Sequence, residues 1–324
     1  MRYKKKENGL FVNFSNVVLI ILFFVITTWG IQVTNAATSN LKFAQVSDVH
    51  FASNSQNTLY RLTKESPDIF DDVIDQINST PNIDFVMFTG DQINTPYEQE
   101  LIKFIKHANN LKYPWYAVLG NHDICVGGYL TKTLYRQILS LKNKNFKFDN
   151  MYYSFTPKSG YKVIVLDSII DNRITANGEI NETQLSWLDN QLKTAKNDTV
   201  LIFMHVPPKE PFDSPSHSLI NSDEFCKILK KYNNPIAVFS GHYHSTKITQ
   251  DGNILFVSTP SLVSYPNAFR IISVTNQRKK VIFDITFKET NLKDLQKKAK
   301  LMVFSSALYY GNAEDRTFSY EIER

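Results

Sequence analysis

The stretch Leu41-Lys42-Phe43-Ala44-Gln45-Val46-Ser47-Asp48-Val49-His50 joins a mainly apolar run to an Asp-x-His pair. The run predicts a buried β-strand, and Asp48 and His50 follow in the loop where that strand ends. Four more polar motifs follow apolar strand patterns in the same way. They are Gly90-Asp91, Gly120-Asn121-His122-Asp123, His205 and Gly241-His242-Tyr243-His244. The sequence therefore places Asp, Asn and His side chains at the ends of five strands.

Helix patterns separate these strands. One apolar face is formed by Ile69, Val73 and Ile77, and a second by Leu101, Phe104, Ile105 and Ala108. A third helix is expected over residues 181–195, where Asn181 is placed to cap it and Gln184 stands at the capping-box position. Because parallel strands end on the same edge of a sheet, the five motifs are expected to meet in one crevice.

From Ser245 onward, short strand patterns follow one another without helices between them. They cover residues 245–250, 253–258, 268–275 and 280–287, with a hairpin signal at Asp251-Gly252. This mixture predicts an α/β (α+β) fold of two facing mixed β-sheets flanked by helices. We expect one catalytic domain over residues 37–289 and a C-terminal helical extension over residues 290–324.

The composition is that of a globular protein, with 43% hydrophobic and 21% charged residues. The formal net charge is +5, and much of the excess lies at the N-terminus, in Arg2 and Lys4 to Lys6. No dense Lys/Arg stripe is present, so the sequence does not favour nucleic acid binding.

The first 36 residues have the three parts of a secretory signal. Lys4 to Lys6 are followed by the apolar run Val17 to Ile26, and Thr34-Asn35-Ala36 forms a cleavage site. We expect cleavage after Ala36 and a secreted, extracytoplasmic protein. The alternative is an uncleaved anchor built on the longer stretch from Leu10 to Val33, which is the only membrane contact that we expect.

The polar motifs offer carboxylate, amide and imidazole groups, which suit Fe, Mn or Zn. Any single motif is weak, because a lone His is more often structural than a metal ligand. Five motifs in order, holding five of the seven histidines, indicate a shared metal site. Two metal ions about 3.5–4 Å apart can clamp a phosphoryl group. The two cysteines, Cys125 and Cys226, form no metal-binding spacing and are expected to be unpaired or buried thiols.

The order Asp-x-His, Gly-Asp, Gly-Asn-His-Asp, His and Gly-His-x-His resembles the calcineurin-like metallophosphoesterase superfamily. Within it, Asp48-Val49-His50 and His205-Val206-Pro207-Pro208 resemble class III cyclic nucleotide phosphodiesterases and related bacterial enzymes. Purple acid phosphatases are the nearest competitor, but Tyr97 lies too far beyond Asp91 for their tyrosine ligand. Gln92 departs from the family, which usually has an apolar residue there.

The resemblance implies a four-layer αββα fold with two metal ions and assigns a role to each motif residue. Asp48, His50 and His244 would hold the first ion, and Asn121, His205 and His242 the second. Asp91 would bridge the two, and a bridging hydroxide would attack phosphorus. His122 would stabilise the transition state or protonate the leaving oxygen, and Asp123 would orient His122.

The chain is therefore expected to hydrolyse small phosphate esters, either diesters or monoesters. The alternatives are a non-catalytic, metal-dependent binding module and a membrane-surface lipid phosphoesterase. Tyr243 either stacks on a substrate base or packs in the core. His107 and His217 are interpreted as surface residues, although the proline-rich loop that carries Asp213 and His217 is a second candidate for contact with the leaving group.

Overall fold

The structure, a computed structural model, describes residues 39–124 and 127–324. The predicted signal segment, residues 1–36, and Cys125 lie outside the described residues. Cys226 is buried, and burial raises the pKa of its thiol. Within the described ranges, no helix is long and apolar enough to cross a membrane.

The described residues form twelve strands and nine helices. The strands are β1 (Ser39–Val46), β2 (Phe85–Thr89), β3 (Trp115–Val118), β4 (Tyr153–Phe155), β5 (Tyr161–Val165), β6 (Thr199–Phe203), β7 (Ile236–Ser240), β8 (Lys247–Asp251), β9 (Ile254–Ser258), β10 (Ala268–Asn276), β11 (Lys280–Glu289) and β12 (Phe318–Glu323). The helices are α1 (Ser66–Ser79), α2 (Glu98–Ala108), α3 (Asn121–Ile124), α4 (Lys132–Lys142), α5 (Glu182–Thr194), α6 (Ser222–Leu229), α7 (Lys293–Met302), α8 (Ser306–Tyr310) and α9 (Ala313–Arg316).

The strands form two mixed six-stranded sheets. The first has the order β12-β11-β10-β1-β2-β3, and the second has the order β4-β5-β6-β7-β9-β8. Strands β1, β2 and β3 are parallel, as are β5, β6, β7 and β9. The carboxyl ends of β1, β2 and β3 therefore lie at one edge of the first sheet, and those of β6 and β7 at one edge of the second.

The two sheets pack face to face through aromatic side chains. The ring of Phe43 on β1 contacts Phe203 on β6 and Phe239 on β7 edge-on, with centroid distances of 5.5 and 5.2 Å. Near the site, Gln45 Nε2 of the first sheet donates a hydrogen bond to the Ser240 carbonyl oxygen of the second. The predicted pair of facing mixed sheets is confirmed.

Helices cover the first sheet through a second aromatic cluster. Phe70 on α1 stacks on Phe104 of α2 at 5.1 Å, and both rings contact Phe88 of β2 edge-on. Phe104 lies on the apolar face predicted for α2, whereas Phe70 is not among the residues predicted for the face of α1. Burying such large rings stabilises the layer by roughly 1.5–3 kcal/mol for each side chain. This packing holds β2, and with it the loop that carries Asp91.

The predicted helix cap at Asn181 is confirmed, but the capping box is not closed. Asn181 Oδ1 accepts a hydrogen bond from the Gln184 backbone N–H at 2.9 Å. The Gln184 side chain turns instead to the backbone of Asp167, accepting from its N–H at 3.0 Å and donating to its carbonyl oxygen at 2.9 Å. Gln184 therefore ties the helix to the end of β5.

The C-terminal segment contains more than the expected helices. Strand β12 pairs antiparallel with β11 and forms the edge of the first sheet. Buried Arg270 on β10 donates hydrogen bonds to the carbonyl oxygens of Asp315 and Arg316. The purely helical prediction misses this strand because only Ile322 of β12 is buried, which leaves too little apolar alternation to detect.

Candidate metal centre

Five loops bring the predicted ligands together at one end of the two facing sheets. Asp48 and His50 follow β1, Asp91 follows β2, and Asn121 begins α3 after β3. From the second sheet, His205 follows β6, and His242 and His244 follow β7. All seven side chains are buried. The crevice expected from the parallel strands therefore exists.

The backbone at the ligands is held in an uncommon conformation. Five ligand residues have φ between 41° and 71°: Asp48, His50, Asp91, His242 and His244. Residues other than glycine rarely adopt this left-handed region, and such strain concentrates at functional sites. The surrounding fold therefore holds these side chains in place at a conformational cost.

Two motif glycines allow the loops to approach closely. A Cβ atom on Gly241 would lie 1.8 Å from Ser47 Oγ and 2.4 Å from Asp48 Oδ2. Gly90 has φ of 94°, and a Cβ atom there would lie 2.0 Å from His205 Nδ1. Any larger residue would push the ligand loops apart, which gives a physical reason for glycine at these positions.

The first ligand group consists of Asp48, His50, Asp91 and His244, whose ligand atoms all lie within 4.8 Å of one another. The Nε2 atoms of His50 and His244 are 3.1 Å apart. His244 Nε2 lies 3.3 Å from Asp48 Oδ1. Two imidazole nitrogens and a carboxylate oxygen thus converge on one point.

The second ligand group consists of Asp91, His205 and His242. His205 Nε2 lies 3.2 Å from His242 Nδ1 and 3.2 Å from Asn121 Oδ1, so Asn121 joins this group. His205 Nδ1 donates a hydrogen bond to the Thr89 carbonyl oxygen at 2.8 Å. That bond fixes the ring and leaves Nε2 free to bind a metal ion.

Asp91 belongs to both groups. Its Oδ2 lies 3.6 Å from His50 Nε2 and 3.4 Å from His205 Nε2. Its Oδ1 accepts a hydrogen bond from the His122 backbone N–H at 2.8 Å. One carboxylate oxygen therefore faces both sets of imidazoles, as a bridging ligand requires.

The pKa values of three ligand histidines are shifted by burial and by neighbouring charges. Burial and the charge of Arg61 lower the pKa of His50, and burial and the charge of His205 lower the pKa of His242. Burial also works against a charged His205, but the Asp91 carboxylate outweighs it and raises the pKa of His205 to about 9. Imidazole binds metal in its neutral form, which burial favours. The donor set, with its shared carboxylate, fits two metal ions.

A family model for calcineurin-like phosphoesterases matches residues 41–246, which is more than half of the chain. The chain belongs to the calcineurin-like phosphoesterase family. It is therefore a phosphoric ester hydrolase with two buried Asp/His groups consistent with a dinuclear metal site.

Individual relatives support this family. The chain is 27% identical over 225 residues to a 3',5'-cyclic-nucleotide phosphodiesterase of Nostoc sp., covering 68% of this chain and 78% of the relative. It is 27% identical over 226 residues to a probable glycerophosphodiester phosphodiesterase of Arcobacter nitrofigilis, covering 67% and 77%. A dimetal phosphatase from Danio rerio shares the fold, with a TM-score of 0.60 at 17% identity over 76% of this chain and 95% of that one.

The phosphoesterase holds its predicted acid, His122, beside the ligand groups. The His122 ring lies edge-on to His50 at 4.6 Å. Its Nδ1 donates a hydrogen bond to the Asn94 carbonyl oxygen at 2.9 Å, and its Nε2 lies 3.3 Å from Arg61 Nη1. Burial lowers the pKa of His122, while Asp91 raises it and Arg61 lowers it further.

The hydrogen bonds of Asp123 give no support to the orienting role predicted for it, because they run to backbone N–H groups. Asp123 Oδ2 accepts from the Gly120 N–H at 2.8 Å, and Oδ1 accepts from the Ile93 N–H at 3.1 Å. The carboxylate thus braces the loop before Asn121, and the Asn94 carbonyl orients His122. Burial and the nearby Asp91 raise the pKa of Asp123 well above its usual range.

Gln92, which departs from the family pattern, is satisfied in the core. Its Nε2 donates to the Val118 carbonyl oxygen at 2.9 Å, and its Oε1 accepts from the Tyr135 hydroxyl. Gln92 therefore has a structural role in the core and does not alter the ligand groups. Tyr97 lies near the surface against Tyr129 at 5.3 Å and belongs to neither group, as expected.

A cavity of about 300 Å³ opens above the ligand groups. Its lining includes His122, His217 and the aromatic residues Tyr60, Phe212, Tyr243 and Tyr309. Tyr243 is largely buried and packs edge-on against Phe212 at 5.1 Å, as the packing interpretation predicts, and it also lines the cavity. Its contact with a substrate stays a prediction.

The two remaining histidines differ in their surroundings. His107 makes an ion pair with Asp71 at 2.6 Å and is partly exposed, as a surface residue would be. His217 is not an ordinary surface residue: its ring lies 5.3 Å from His242 and it lines the cavity. The proline-rich loop carries it there, as the second interpretation allowed.

Sequence reasoning missed three residues of this site. Arg61 lies in a polar stretch without periodicity, and Asn94 acts through its backbone carbonyl, so neither carries a signal in the sequence. Tyr309 comes from α8, far along the chain from every motif. The Thr246 N–H donates to the Tyr309 carbonyl oxygen at 3.0 Å, directly after the His244 loop.

Proposed function

We propose that this phosphoesterase is a phosphodiesterase that cleaves small, soluble phosphodiesters. The observation that carries the proposal is the single Asp91 oxygen facing both imidazole groups, with His122 beside them. Two metal ions in these groups would supply Lewis-acid activation of the phosphoryl group and of water. Asp48, His50, His244 and Asp91 would hold one ion, and Asp91, Asn121, His205 and His242 the other.

The residues of the chain position the ester between the metal ions and His122. The Asn94 carbonyl fixes the His122 ring so that Nε2 lies 3.3 Å from an Arg61 nitrogen. His122 is therefore placed, in its protonated form, to bind a phosphoryl oxygen or to give a proton from Nε2 to the leaving oxygen. The aromatic wall above receives the organic part of the ester.

Two relatives favour diesters over monoesters, and the size of the cavity favours a small ester over a polymer. The relatives named above act on cyclic nucleotides and glycerophosphodiesters according to their names. A cavity of about 300 Å³ suits a substrate of that size rather than a polymer. We propose cyclic nucleotides and glycerophosphodiesters as the substrate classes to compare.

We propose an extracytoplasmic location on the strength of the signal in residues 1–36. An exported enzyme would meet scavenged diesters more often than intracellular messengers. Mn, Fe and Zn are the candidate ions, because the donors are carboxylate, amide and imidazole groups.

The test is hydrolysis by purified protein that has been stripped with a chelator and reloaded with Mn, Fe or Zn. Bis-p-nitrophenyl phosphate is compared with p-nitrophenyl phosphate, and then 3',5'-cyclic AMP with glycerophosphoethanolamine. We expect metal-dependent cleavage of the diester with little attack on the monoester.

Two results would overturn the proposal. Monoester cleavage that exceeds diester cleavage would make the enzyme a phosphatase. No cleavage of either compound, by protein shown to contain two metal ions, would favour the binding-module alternative.

A further inference from the structure

Arg61 is a buried cation at the metal centre without an acidic partner. Its side chain is only 9% exposed and lines the cavity. Within residues 39–124 and 127–324, no ion pair joins it to a carboxylate, and its Nε has no hydrogen-bond partner. A buried charge without a counter-ion is costly, so an arginine here needs a compensating ligand.

The backbone holds Arg61 firmly in this position. Thr58 Oγ1 accepts from the Arg61 N–H at 3.1 Å, and the Thr58 N–H donates to the Arg61 carbonyl oxygen at 3.1 Å. The next residue, Leu62, donates to the Val263 carbonyl oxygen at 2.7 Å. The guanidinium carbon lies over the Tyr60 ring, 5.0 Å from its centroid. The guanidinium is thus pre-positioned.

The neighbours of Arg61 do not satisfy its donors. Arg61 Nη1 lies 3.0 Å from His50 Nδ1 and 3.3 Å from His122 Nε2. When His50 holds a metal ion through Nε2, its proton is on Nδ1, so that nitrogen faces Arg61 as a donor. Only one nitrogen, His122 Nε2, is then left to accept. Among the residues that the structure describes, the Arg61 Nε–H has no hydrogen-bond acceptor, so the guanidinium keeps donor capacity for a ligand.

We propose that Arg61 is a further catalytic residue that binds a non-bridging phosphoryl oxygen of the substrate. A guanidinium presents paired N–H donors that match two oxygens of a phosphate group. Its position beside both His50 and His122 places these donors between the first ligand group and the predicted acid. There, its positive charge would stabilise the negative charge on the non-bridging phosphoryl oxygens during hydrolysis.

The inference deepens the proposed function and rests on it only in that the site must bind phosphate. It is therefore tested by phosphate binding rather than by hydrolysis. Inorganic phosphate is titrated calorimetrically into the metal-loaded full chain, and the metal content of each sample is measured by mass spectrometry.

Three variants separate the roles of Arg61. Arg61→Gln removes the positive charge. Arg61→Lys keeps the positive charge but removes the paired N–H donors of the guanidinium. Arg278→Gln makes the same charge change on the exposed turn between β10 and β11 and serves as control. We expect Arg61→Gln to keep both metal ions and to bind phosphate about 10- to 100-fold more weakly, since hydrogen bonds to charged groups are the strong ones. Arg61→Lys should be intermediate, and Arg278→Gln unchanged.

Three outcomes would overturn the inference. Metal-loaded Arg61→Gln that binds phosphate as tightly as the unaltered protein would show that Arg61 does not contact the phosphoryl group. Loss of metal from Arg61→Gln would instead make Arg61 a support of the ligand groups. If Arg61→Gln does not fold, Arg61→Lys decides: unchanged phosphate affinity counts against the inference. If the protein binds phosphate through Arg61 but cleaves no diester, the proposed function is wrong and the inference about Arg61 stands.

Discussion

Asp91 Oδ2 lies 3.4 Å from His205 Nε2, and this contact sets the charge of the second ligand group. Without metal, the carboxylate stabilises the imidazolium and raises the pKa of His205 to about 9 despite its burial. A metal ion that takes the place of this proton must bind the neutral ring. The Asp91–His205 pair therefore couples metal loading to pH.

Metal binding should release a proton from His205. At pH 7, below the pKa of about 9, the metal-free His205 is protonated, so loading displaces about one proton from it. Metal affinity should therefore rise with pH up to about 9 through this residue. Calorimetric titration of Mn or Zn in buffers of different ionisation enthalpy measures the proton count. Equal apparent enthalpies in all buffers would contradict the prediction.

Asp91→Ala should remove the ligand shared by both groups. We expect the variant to retain at most one metal ion per chain and to lose metal-dependent hydrolysis, because each site loses an oxygen donor and the shared negative charge. Metal content by mass spectrometry and rates with bis-p-nitrophenyl phosphate provide the measurements. Asp294→Ala removes an exposed carboxylate on α7, outside the cavity lining, and is the matched control. Two metal ions bound as tightly in Asp91→Ala would disprove the bridging role.

His122→Ala should keep the metal ions but slow the reaction. The His122 side chain lies in neither ligand group, so the metal content should be unchanged. Loss of a general acid or transition-state contact is expected to lower kcat by about 10²–10⁴-fold. The drop should be smaller with a p-nitrophenolate leaving group, which needs little protonation, than with an alkyl diester. Full activity on both substrates would refute the assigned role.

Asp123→Asn tests the bracing role of this residue. Both carboxylate oxygens accept backbone N–H groups, and an amide can accept only on its oxygen, so one buried N–H loses its partner. We expect a loss of about 1–3 kcal/mol in the free energy of unfolding, with kcat per folded, metal-loaded molecule little changed. Chemical denaturation measures the first quantity and steady-state kinetics the second. A fall in kcat as large as that of His122→Ala, at unchanged stability, would support the orienting role.

The sequence predicted that the seven motif residues meet, because each follows an apolar strand and parallel strands end on one edge of a sheet. Their binding of metal ions stays a prediction. The interaction that holds His122 was not predictable, because the Asn94 acceptor is a backbone carbonyl that any residue would supply. The family resemblance implied that Asp123 orients His122. In the structure, the Asp123 carboxylate accepts hydrogen bonds from the N–H groups of Gly120 and Ile93. The sequence therefore does not show which hydrogen-bond partner a side chain takes in the folded protein.

The elements of the C-terminal segment were also only partly predictable from the sequence. The spacing of Leu292, Leu295 and Ala299 predicts helix α7 correctly, because one face repeats at helical period. Strand β12 pairs with β11 through backbone hydrogen bonds and buries only one side chain. Its sequence therefore shows almost no strand pattern. That strand nonetheless anchors the segment that delivers Tyr309 to the cavity.

Tyr309→Ala should change substrate preference without affecting the metal ions. Tyr309 lines the cavity, lies 6.4 Å from the Phe212 ring, and is tied by its carbonyl oxygen to the Thr246 N–H. An aromatic contact of this kind contributes about 0.5–1.5 kcal/mol, so KM for a cyclic nucleotide should rise by roughly 2- to 12-fold. KM for glycerophosphoethanolamine, which has no ring to stack, should change less, and kcat for both should be nearly constant.

The control for this substitution is Phe318→Ala, which removes an exposed ring from the same C-terminal segment on β12, away from the cavity lining. It should leave both KM values unchanged. Equal increases in KM for the two substrates in Tyr309→Ala would mean that the side chain shapes the cavity as a whole. No increase for either would remove α8 from substrate binding and leave selection to the loop that carries Phe212 and His217.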